Sequence, residues 1–167
     1  MRSLLKLKQY ELQVFSINFV RNQTHYNMAK DLFHENARKA LENEGWLISA
    51  DPLRIYISDT AYMEIDLAAE NTFMAEKGDD KIAVEVKSFV KKSFISAFHE
   101  AMGQYLNYKS ALADTESDRV VYLAIPEDAF HHELFQGKFI QKRLKEESAN
   151  LLIFDISNNS ITQWINY

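Results

Sequence analysis

The sequence predicts a mixed α/β domain built around a mixed sheet. Three observations lead to this class: apolar residues recur with helical spacing in three segments, short alternating or continuous apolar runs lie between them, and the two kinds of segment are interspersed. The chain has 167 residues, 47% hydrophobic and 26% charged, which is typical of one globular domain. Only four glycines and two prolines are present, which argues against a turn-rich all-β barrel.

The first part of the patterned region predicts one helix and then several strands. A helix over 30–44 is predicted because apolar residues recur on one face, and Gly45 suits the position after its last turn. The strands are predicted over 46–50, 53–57, 62–69, 72–75 and 81–89.

The second part predicts two more helices and three strands. Ser93 is suited to cap a helix that runs to about Ala113, and Pro126 ends a buried strand over 119–125. A turn at Asn158 joins the last two strands. The remaining elements are a helix over 128–147 and strands over 151–156 and 160–165.

The net charge of −5 is unevenly distributed along the chain. Residues 1–27 contain four basic residues and one acidic residue, which leaves a net charge of −8 for residues 28–167. Because 1–27 show no clean periodicity, we interpret them as a flexible N-terminal extension upstream of a single domain over 28–167. The alternative is a basic arm that contacts a partner or a phosphate backbone. The overall acidity argues against a free-standing coat protein for nucleic acid.

Several other classes are excluded by what the sequence lacks. There is no cysteine, so disulfides, thiolate zinc sites and cysteine nucleophiles are excluded. The five histidines show no zinc-binding spacing, no glycine-rich phosphate-binding motif is present, and the tyrosines are assigned to the core and its rim. No apolar run approaches about 18 residues, and Lys6, Lys8 and Glu11 interrupt any signal peptide. We expect a cytoplasmic protein without a membrane partner, of undetermined oligomeric state.

Charged residues that could carry chemistry lie on two of the predicted strands. Alternation places Glu85 and Lys87 on the same face of the strand over 81–89, and Asp66 lies on the polar face of the strand over 62–69. If these strands pair, two carboxylates meet beside an ammonium group. Two carboxylates, a backbone carbonyl and waters suit Mg²⁺, and a lysine beside that ion can help to activate water. The pattern therefore indicates metal-assisted phosphodiester hydrolysis.

The short acid-x-Lys pattern is unspecific by itself. It occurs at 79–81 as well as at 85–87, so its value comes from the surrounding strands and helices. The alternative is that Asp66, Glu85 and Lys87 form the solvated face of an antiparallel sheet and pair across its strands.

The two neighbouring helices each offer a further candidate. Gln104 could orient a water or a phosphate, or it could be a surface glutamine. Gly103 lies in mid-helix, which suggests a close approach of the backbone to the sheet or to a ligand. Glu35 on the first helix could complete a metal site, or it could be an exposed helical acid.

A resemblance to known proteins is carried by this order of elements and by longer stretches. An acid, then Glu-x-Lys, then a helical glutamine resembles the PD-(D/E)xK nuclease superfamily. Longer stretches are found at 31–34, 45–46, 51–54, 65–67, 69–70, 75–78, 82–89, 103–108, 122–126 and 163–164. With these stretches, the sequence from Met28 to about residue 166 is similar to the XisH family, the fdxN element excision controlling factors of cyanobacteria.

The resemblance implies both a fold and a biological role. The fold is a restriction-endonuclease-like core of helix, three strands, helix and strand, with a further helix and C-terminal strands. The role is assistance to a site-specific recombinase in the programmed excision of a DNA element, together with a small partner of the XisI type. DNA itself is a second expected partner. The alternative is a non-catalytic module that uses the same fold to bind a XisI-type partner or DNA.

The resemblance also implies roles for named residues. The nuclease signature falls on Asp66, Glu85, Lys87 and Gln104, with Lys87 assisting the attacking water and Gln104 positioning it. The leading proline of the motif is not present, since Ile65 precedes Asp66.

A Mg²⁺ site follows from the same comparison. Its expected ligands are Asp66, Glu85 and the Val86 carbonyl, and Glu35 matches the acid of the first helix less closely. The resemblance therefore predicts Mg²⁺ as the cofactor.

Overall fold

The computed structural model describes four stretches of the chain, residues 31–71, 80–89, 93–115 and 117–167. Spatial contacts divide the chain into two units, Met1–Leu32 and Phe33–Tyr167. Apart from the first two residues of the first helix, the elements below belong to the second unit. The predicted strand over 72–75 and the predicted boundary at Met28 lie outside the described residues.

Helices and strands alternate in the described residues much as the sequence predicts. The helices are α1 (31–43), α2 (Phe94–Asp114), α3 (Glu127–Phe130) and α4 (Lys138–Glu146). The strands are β1 (Leu47–Ala50), β2 (Leu53–Ser58), β3 (Ala61–Ile65), β4 (Leu67–Asn71), β5 (Asp80–Val86), β6 (Val120–Pro126), β7 (Leu151–Asp155) and β8 (Ser160–Ile165). Gly45 follows α1 with φ 91°, and the Ser93 hydroxyl accepts the N–H of Ser96 at 3.2 Å to cap α2. Both predicted helix ends are confirmed.

The main sheet is mixed. Its strand order is β1-β4-β5-β6-β7-β8, whereas β2 and β3 form a separate antiparallel hairpin. Strands β5, β6 and β7 are parallel, and the outer pairs are antiparallel. Helix α2 makes the crossover that a parallel β5–β6 pair requires. In the main sheet the order is therefore helix, three strands, helix and strand, and the predicted mixed α/β class is confirmed.

Buried side chains form two cores on opposite faces of the main sheet. On one face, Ala83 and Leu123 pack with α2, α4 and the β2–β3 hairpin. On the other face, Val84 and Ala124 pack with α1. Successive residues of a strand point to opposite faces, which explains why both faces of β5 and β6 are apolar. The carboxyl ends of β5, β6 and β7 thus open between two layers.

The predicted strand over 62–69 is wrong, because the chain bends at Asp66. Strand β3 pairs with β2, and β4 pairs with β1 and β5. Ile65 is buried in the α2-side core and Leu67 in the α1-side core. In an unbroken strand, residues two apart share a face, so the bend is what allows these two side chains to enter different cores.

The predicted helix over 128–147 is also wrong, because two helices are present. Between α3 and α4 the chain turns, and Phe135 in this turn is fully buried in the core. Gly137 begins α4 as its N-cap, and a Cβ there would lie 3.0 Å from the Leu134 carbonyl oxygen. The chain turns here because Phe135 is buried in the core and because Gly137 has no Cβ to clash with the Leu134 carbonyl. These two contacts outweigh the helical pattern of the sequence. The predicted strand over 81–89 is shorter too, since β5 ends at Val86.

Arg119 connects several strands at the edge of the sheet opposite the carboxyl ends of β5, β6 and β7. Its guanidinium donates to the carbonyl oxygens of Ala69 and Ile82, each at 3.3 Å. It also donates to Ser49 Oγ at 3.2 Å and to Glu70 Oε1 at 2.5 Å. One side chain immediately before β6 thus bonds to β1, β4 and β5. The fork of donors on a guanidinium makes this possible, whereas a lysine ammonium is a single point of charge.

None of the helices in the described ranges combines the length and apolar character needed to cross a bilayer.

Replacing Arg119 by lysine tests whether the hydrogen bonds of its guanidinium stabilise the sheet. We expect Arg119→Lys to lower the free energy of unfolding by about 2 kcal/mol, because buried acceptors lose hydrogen bonds. The measurement is urea denaturation followed by circular dichroism. The matched control is Arg54→Lys, in an exposed cross-strand pair with Glu64, which we expect to have no measurable effect. Equal stability of the two variants would contradict the role of Arg119.

Candidate active site

The bend at Asp66 brings one carboxylate to the end of β5. The backbone N–H of Val86 donates a hydrogen bond of 2.9 Å to Asp66 Oδ2. Since Val86 is the last residue of β5, this bond holds the carboxylate where the chain leaves the sheet. The structure therefore brings Asp66 to the strand that carries Glu85.

Glu85 lies beside this bond and is buried. It shares the α2-side face of β5 with Ala83 and is only 4% exposed. Lys87 Nζ donates to Glu85 Oε1 at 2.5 Å. Glu85 Oε2 is also buried, and it has no hydrogen-bond partner among the described residues. The alternative of a solvated sheet face is wrong for Glu85.

Burial and charge both act on the titration of Glu85. Loss of hydration raises the pKa of its carboxyl above the usual value, and the nearby Asp66 carboxylate raises this pKa further. The Lys87 ammonium acts in the opposite direction without cancelling the rise. Asp66, Glu85 and Lys87 thus form an electrostatically coupled cluster, which we call the acidic cluster, and ionisation of Glu85 gives it an excess of negative charge.

Helix α2 contributes Tyr108 to the surroundings of the acidic cluster. The pKa of its buried hydroxyl is raised by loss of hydration and by the charges of Glu85 and Asp66. Gln104 precedes it by one helical turn, and its buried Oε1 has no hydrogen-bond partner in the described part of the chain. Residues four apart lie on one helix face, so Gln104 and Tyr108 present their side chains in the same direction.

Tyr108 is a residue that the sequence analysis missed. It was assigned with the other tyrosines to the core and its rim, and it is indeed buried. The signal that could have singled it out is its spacing of four residues from the candidate Gln104 on one helix.

Two other candidates do not join the acidic cluster. Glu35 pairs with Lys39 at 3.3 Å on α1, and α1 packs against the face of the sheet opposite Glu85. Its predicted role as a metal ligand stays a prediction without a geometric basis here. Gly103 is exposed, and a Cβ on it would meet no atom of the described residues within 4 Å. The expected close approach of Gly103 to the sheet is therefore wrong, whereas an approach to a ligand stays a prediction.

Comparison with known proteins adds a family to this geometry. The sequence model described as XisH protein matches residues 28–162. The chain belongs to the XisH family. The resemblance read from the sequence is thus confirmed for the family, whereas membership of the PD-(D/E)xK superfamily stays a prediction.

Two solved structures resemble this XisH protein closely. One is an XisH family protein from Nostoc punctiforme PCC 73102, at 40% sequence identity and a TM-score of 0.72. The other is an fdxN element excision controlling factor protein from Anabaena variabilis, at 42% identity and the same TM-score. Each comparison covers 81% of this chain and 99% of the other. No curated protein matches the sequence.

The acidic cluster of this XisH protein fits a hard cation by its donor chemistry. The carboxylates of Asp66 and Glu85 would supply oxygen ligands of the kind that Mg²⁺ prefers, and the Val86 carbonyl stays the predicted third ligand. Glu85 Oε2, which has no partner in the described stretches, is a buried acceptor that a cation would satisfy. The described residues contain no group of three or more acidic, histidine or cysteine side chains that could hold a metal.

The raised pKa of Glu85 predicts a specific dependence of stability on pH. The folded protein holds this proton more tightly than the unfolded chain, so Glu85 lowers stability as the pH rises from about 4.3 through its raised pKa. We expect Glu85→Gln to gain stability relative to the wild type over this window, by up to about 1.4 kcal/mol per pH unit. The measurement is denaturant unfolding at a series of pH values without divalent cations.

The control for this experiment is Glu146→Gln on α4. A hydrogen bond from Arg143 lowers the pKa of Glu146, so its ionised form stabilises the fold and the variant should lose relative stability as the pH rises. The two differences must therefore have opposite signs. A difference for Glu85→Gln that does not change with pH would contradict the raised pKa.

Proposed function

We propose that this XisH protein is an excision controlling factor that hydrolyses DNA phosphodiester bonds with Mg²⁺ at the acidic cluster. The observation that carries the proposal is the buried Glu85 next to Asp66: its Oε1 accepts a hydrogen bond from Lys87, and its Oε2 has no hydrogen-bond partner within the part of the chain that the structure describes. An ion pair between Glu85 and Lys87 that served only the fold would not need the half-buried carboxylate of Asp66 beside it. Buried titratable groups with shifted pKa values cluster at functional sites, which supports a chemical role.

The side chains around the acidic cluster have distinct tasks in this proposal. Asp66, Glu85 and the Val86 carbonyl hold Mg²⁺, which when bound supplies positive charge against the phosphate. The Lys87 ammonium stabilises the negative charge that develops when water attacks phosphorus and the ester oxygen leaves. The Gln104 amide orients the attacking water. Tyr108 packs against the carboxylates and excludes bulk solvent from Glu85.

The charge of the domain limits how DNA can bind. Residues 28–167 carry a net charge of −8, so the domain as a whole repels a phosphate backbone. Contact with DNA then depends on a cation in the acidic cluster or on the basic surface of another protein. In the proposal these are a XisI-type partner and, indirectly, a site-specific recombinase.

A non-catalytic binding module is the second candidate, and the β2–β3 hairpin favours it. Tyr56, Ile57 and Tyr62 are exposed there, and the rings of Tyr56 and Tyr62 lie 6.0 Å apart. Clustered exposed aromatic and aliphatic side chains are typical of interaction surfaces. In this proposal the hairpin holds a XisI-type partner, and the acidic cluster takes no part in cleavage.

Substitution of Lys87 distinguishes the two functions. We expect the wild type to nick supercoiled DNA with Mg²⁺, alone or with a XisI-type partner, and Lys87→Gln to nick at least about 100-fold more slowly. The measurement is the rate of conversion of supercoiled plasmid into open circles. The control is Lys142→Gln on the exposed side of α4, which should nick at the wild-type rate.

The opposite result would favour the binding module. If no DNA form is cut with any divalent metal, and Asp66→Ala still supports excision in cells, hydrolysis at the acidic cluster is wrong. DNA affinity should also be measured at several salt concentrations. An affinity that does not change with salt would argue against phosphate contacts.

A further inference from the structure

A second cavity opens at the same edge of the sheet as the acidic cluster. It has a volume of about 530 Å³ and lies where the chain leaves the parallel strands, so we call it the edge cavity. Its walls include Ser88 and Phe89 after β5, and Asp128 and His132 after β6. Ligands of α/β proteins commonly bind at the carboxyl ends of parallel strands, and this volume is within the usual range for small-molecule sites.

Stacked rings form one wall of the edge cavity. The Phe94 ring lies 4.9 Å from that of Phe89 and 4.6 Å from that of His132, with interplanar angles of 27° and 15°. Phe89 is held at φ 55°, a conformation that a bulky side chain rarely adopts. Such a conformation persists where the surroundings impose it, often at ligand-binding positions. The wall is therefore a pre-formed aromatic surface whose rings hold one another in place.

The polar groups of the edge cavity offer both a donor and acceptors. The backbone N–H of Leu134 donates to His132 Nδ1 at 3.2 Å. In the neutral imidazole the proton is then on Nε2, which becomes a hydrogen-bond donor. The exposed carboxylate of Asp128 is an acceptor, and the Ser88 hydroxyl can do either. The carboxylate disfavours a phosphate in this cavity, whereas it accepts a bond from an amino group.

We propose that the edge cavity binds a nucleobase in which an exocyclic amino group adjoins an acceptor ring nitrogen, as in adenine and cytosine, and this rests on the proposed function. Asp128 accepts from the amino group, His132 Nε2 donates to the neighbouring ring nitrogen, and the aromatic wall provides apolar contact for the rest of the base. Carboxylates read cytosine by the same amino group in DNA grooves. Phe89 is two residues from Lys87, at most about 7 Å of backbone, so the base belongs to a nucleotide beside the scissile phosphate.

Nucleoside binding tests this proposal without any cleavage. The full-length protein is titrated with cytidine, adenosine and thymidine, and the ring signals of Phe94 and His132 are followed by NMR. We expect saturable shifts with cytidine and adenosine, and at least about fivefold weaker binding of thymidine, whose edge lacks the amino group. Asp128→Asn should remove this preference.

A pair of histidine substitutions provides the matched control. His132→Phe keeps a ring that can stack on Phe94 but loses the N–H donor, so cytidine should bind at least about fivefold more weakly. His131→Phe changes the neighbouring residue, which is exposed and not part of the edge cavity, and should bind cytidine as the wild type does. Both variants are checked for an unchanged unfolding midpoint.

The outcomes separate this inference from the proposed function. Equal affinity for the three nucleosides and for N-acetylphenylalanine amide would show an apolar pocket that does not read bases, and would overturn the inference even if the protein cuts DNA. Selective binding of cytidine and adenosine that depends on His132 and Asp128, without any nicking, would support the edge cavity and contradict hydrolysis at the acidic cluster.

Discussion

The hydrogen bond from the Val86 N–H to Asp66 Oδ2 is the contact on which the arrangement of this protein depends. It holds the bend at which the chain passes from the β2–β3 hairpin into the main sheet. Because of that bend, Ile65 and Leu67 enter cores on opposite faces of the sheet. The same bond places a carboxylate against the end of β5, where Glu85 is buried. One interaction therefore joins the packing of the two sheets to the chemistry of the acidic cluster.

The acidic cluster lowers the stability of the fold. Burial, and then the charge of Asp66, raise the pKa of Glu85 despite the opposing effect of Lys87, and the second oxygen of Glu85 has no partner among the described residues. A buried acceptor without a partner reduces stability unless something else satisfies it. Phe89, at φ 55°, adds strained backbone three residues after β5 ends. Unpaired buried acceptors and strained backbone lower stability, and they are typical of sites that are formed before a ligand binds. Here both are found at one edge of the sheet.

Local sequence patterns predicted the features that depend on residues close together in the sequence. They failed for features that depend on packing between residues far apart in the sequence. Alternation alone placed Glu85 and Lys87 on one side of β5, and the helix ends at Gly45 and Ser93 follow from their own residue types. The bend at Asp66 cannot be read in this way, since both sides of it alternate and only the pairing partners differ. The turn between α3 and α4 exists because Phe135 is buried, a long-range contact that helical periodicity does not report. Tyr108 is buried, as the sequence predicts for the tyrosines. Its position beside the Asp66 and Glu85 carboxylates depends on the assembled fold and cannot be predicted from local sequence.

The acidity of residues 28–167 acquires a meaning from where two of those acids lie. A net charge of −8 spread over the surface would simply disfavour DNA, but Asp66 and Glu85 concentrate part of it at one point, where Asp66 is half-buried and Glu85 is buried. In the proposed function that point attracts a divalent cation first, and only the occupied cluster then attracts a phosphate. The Asp128 carboxylate at the neighbouring edge cavity works in the same sense, because it disfavours phosphate and accepts an amino group. In this proposal the phosphate of a nucleotide binds the cation at the acidic cluster, and the base binds the aromatic wall of the edge cavity. The acidic side chains would then orient DNA, a task that a basic surface performs in other proteins.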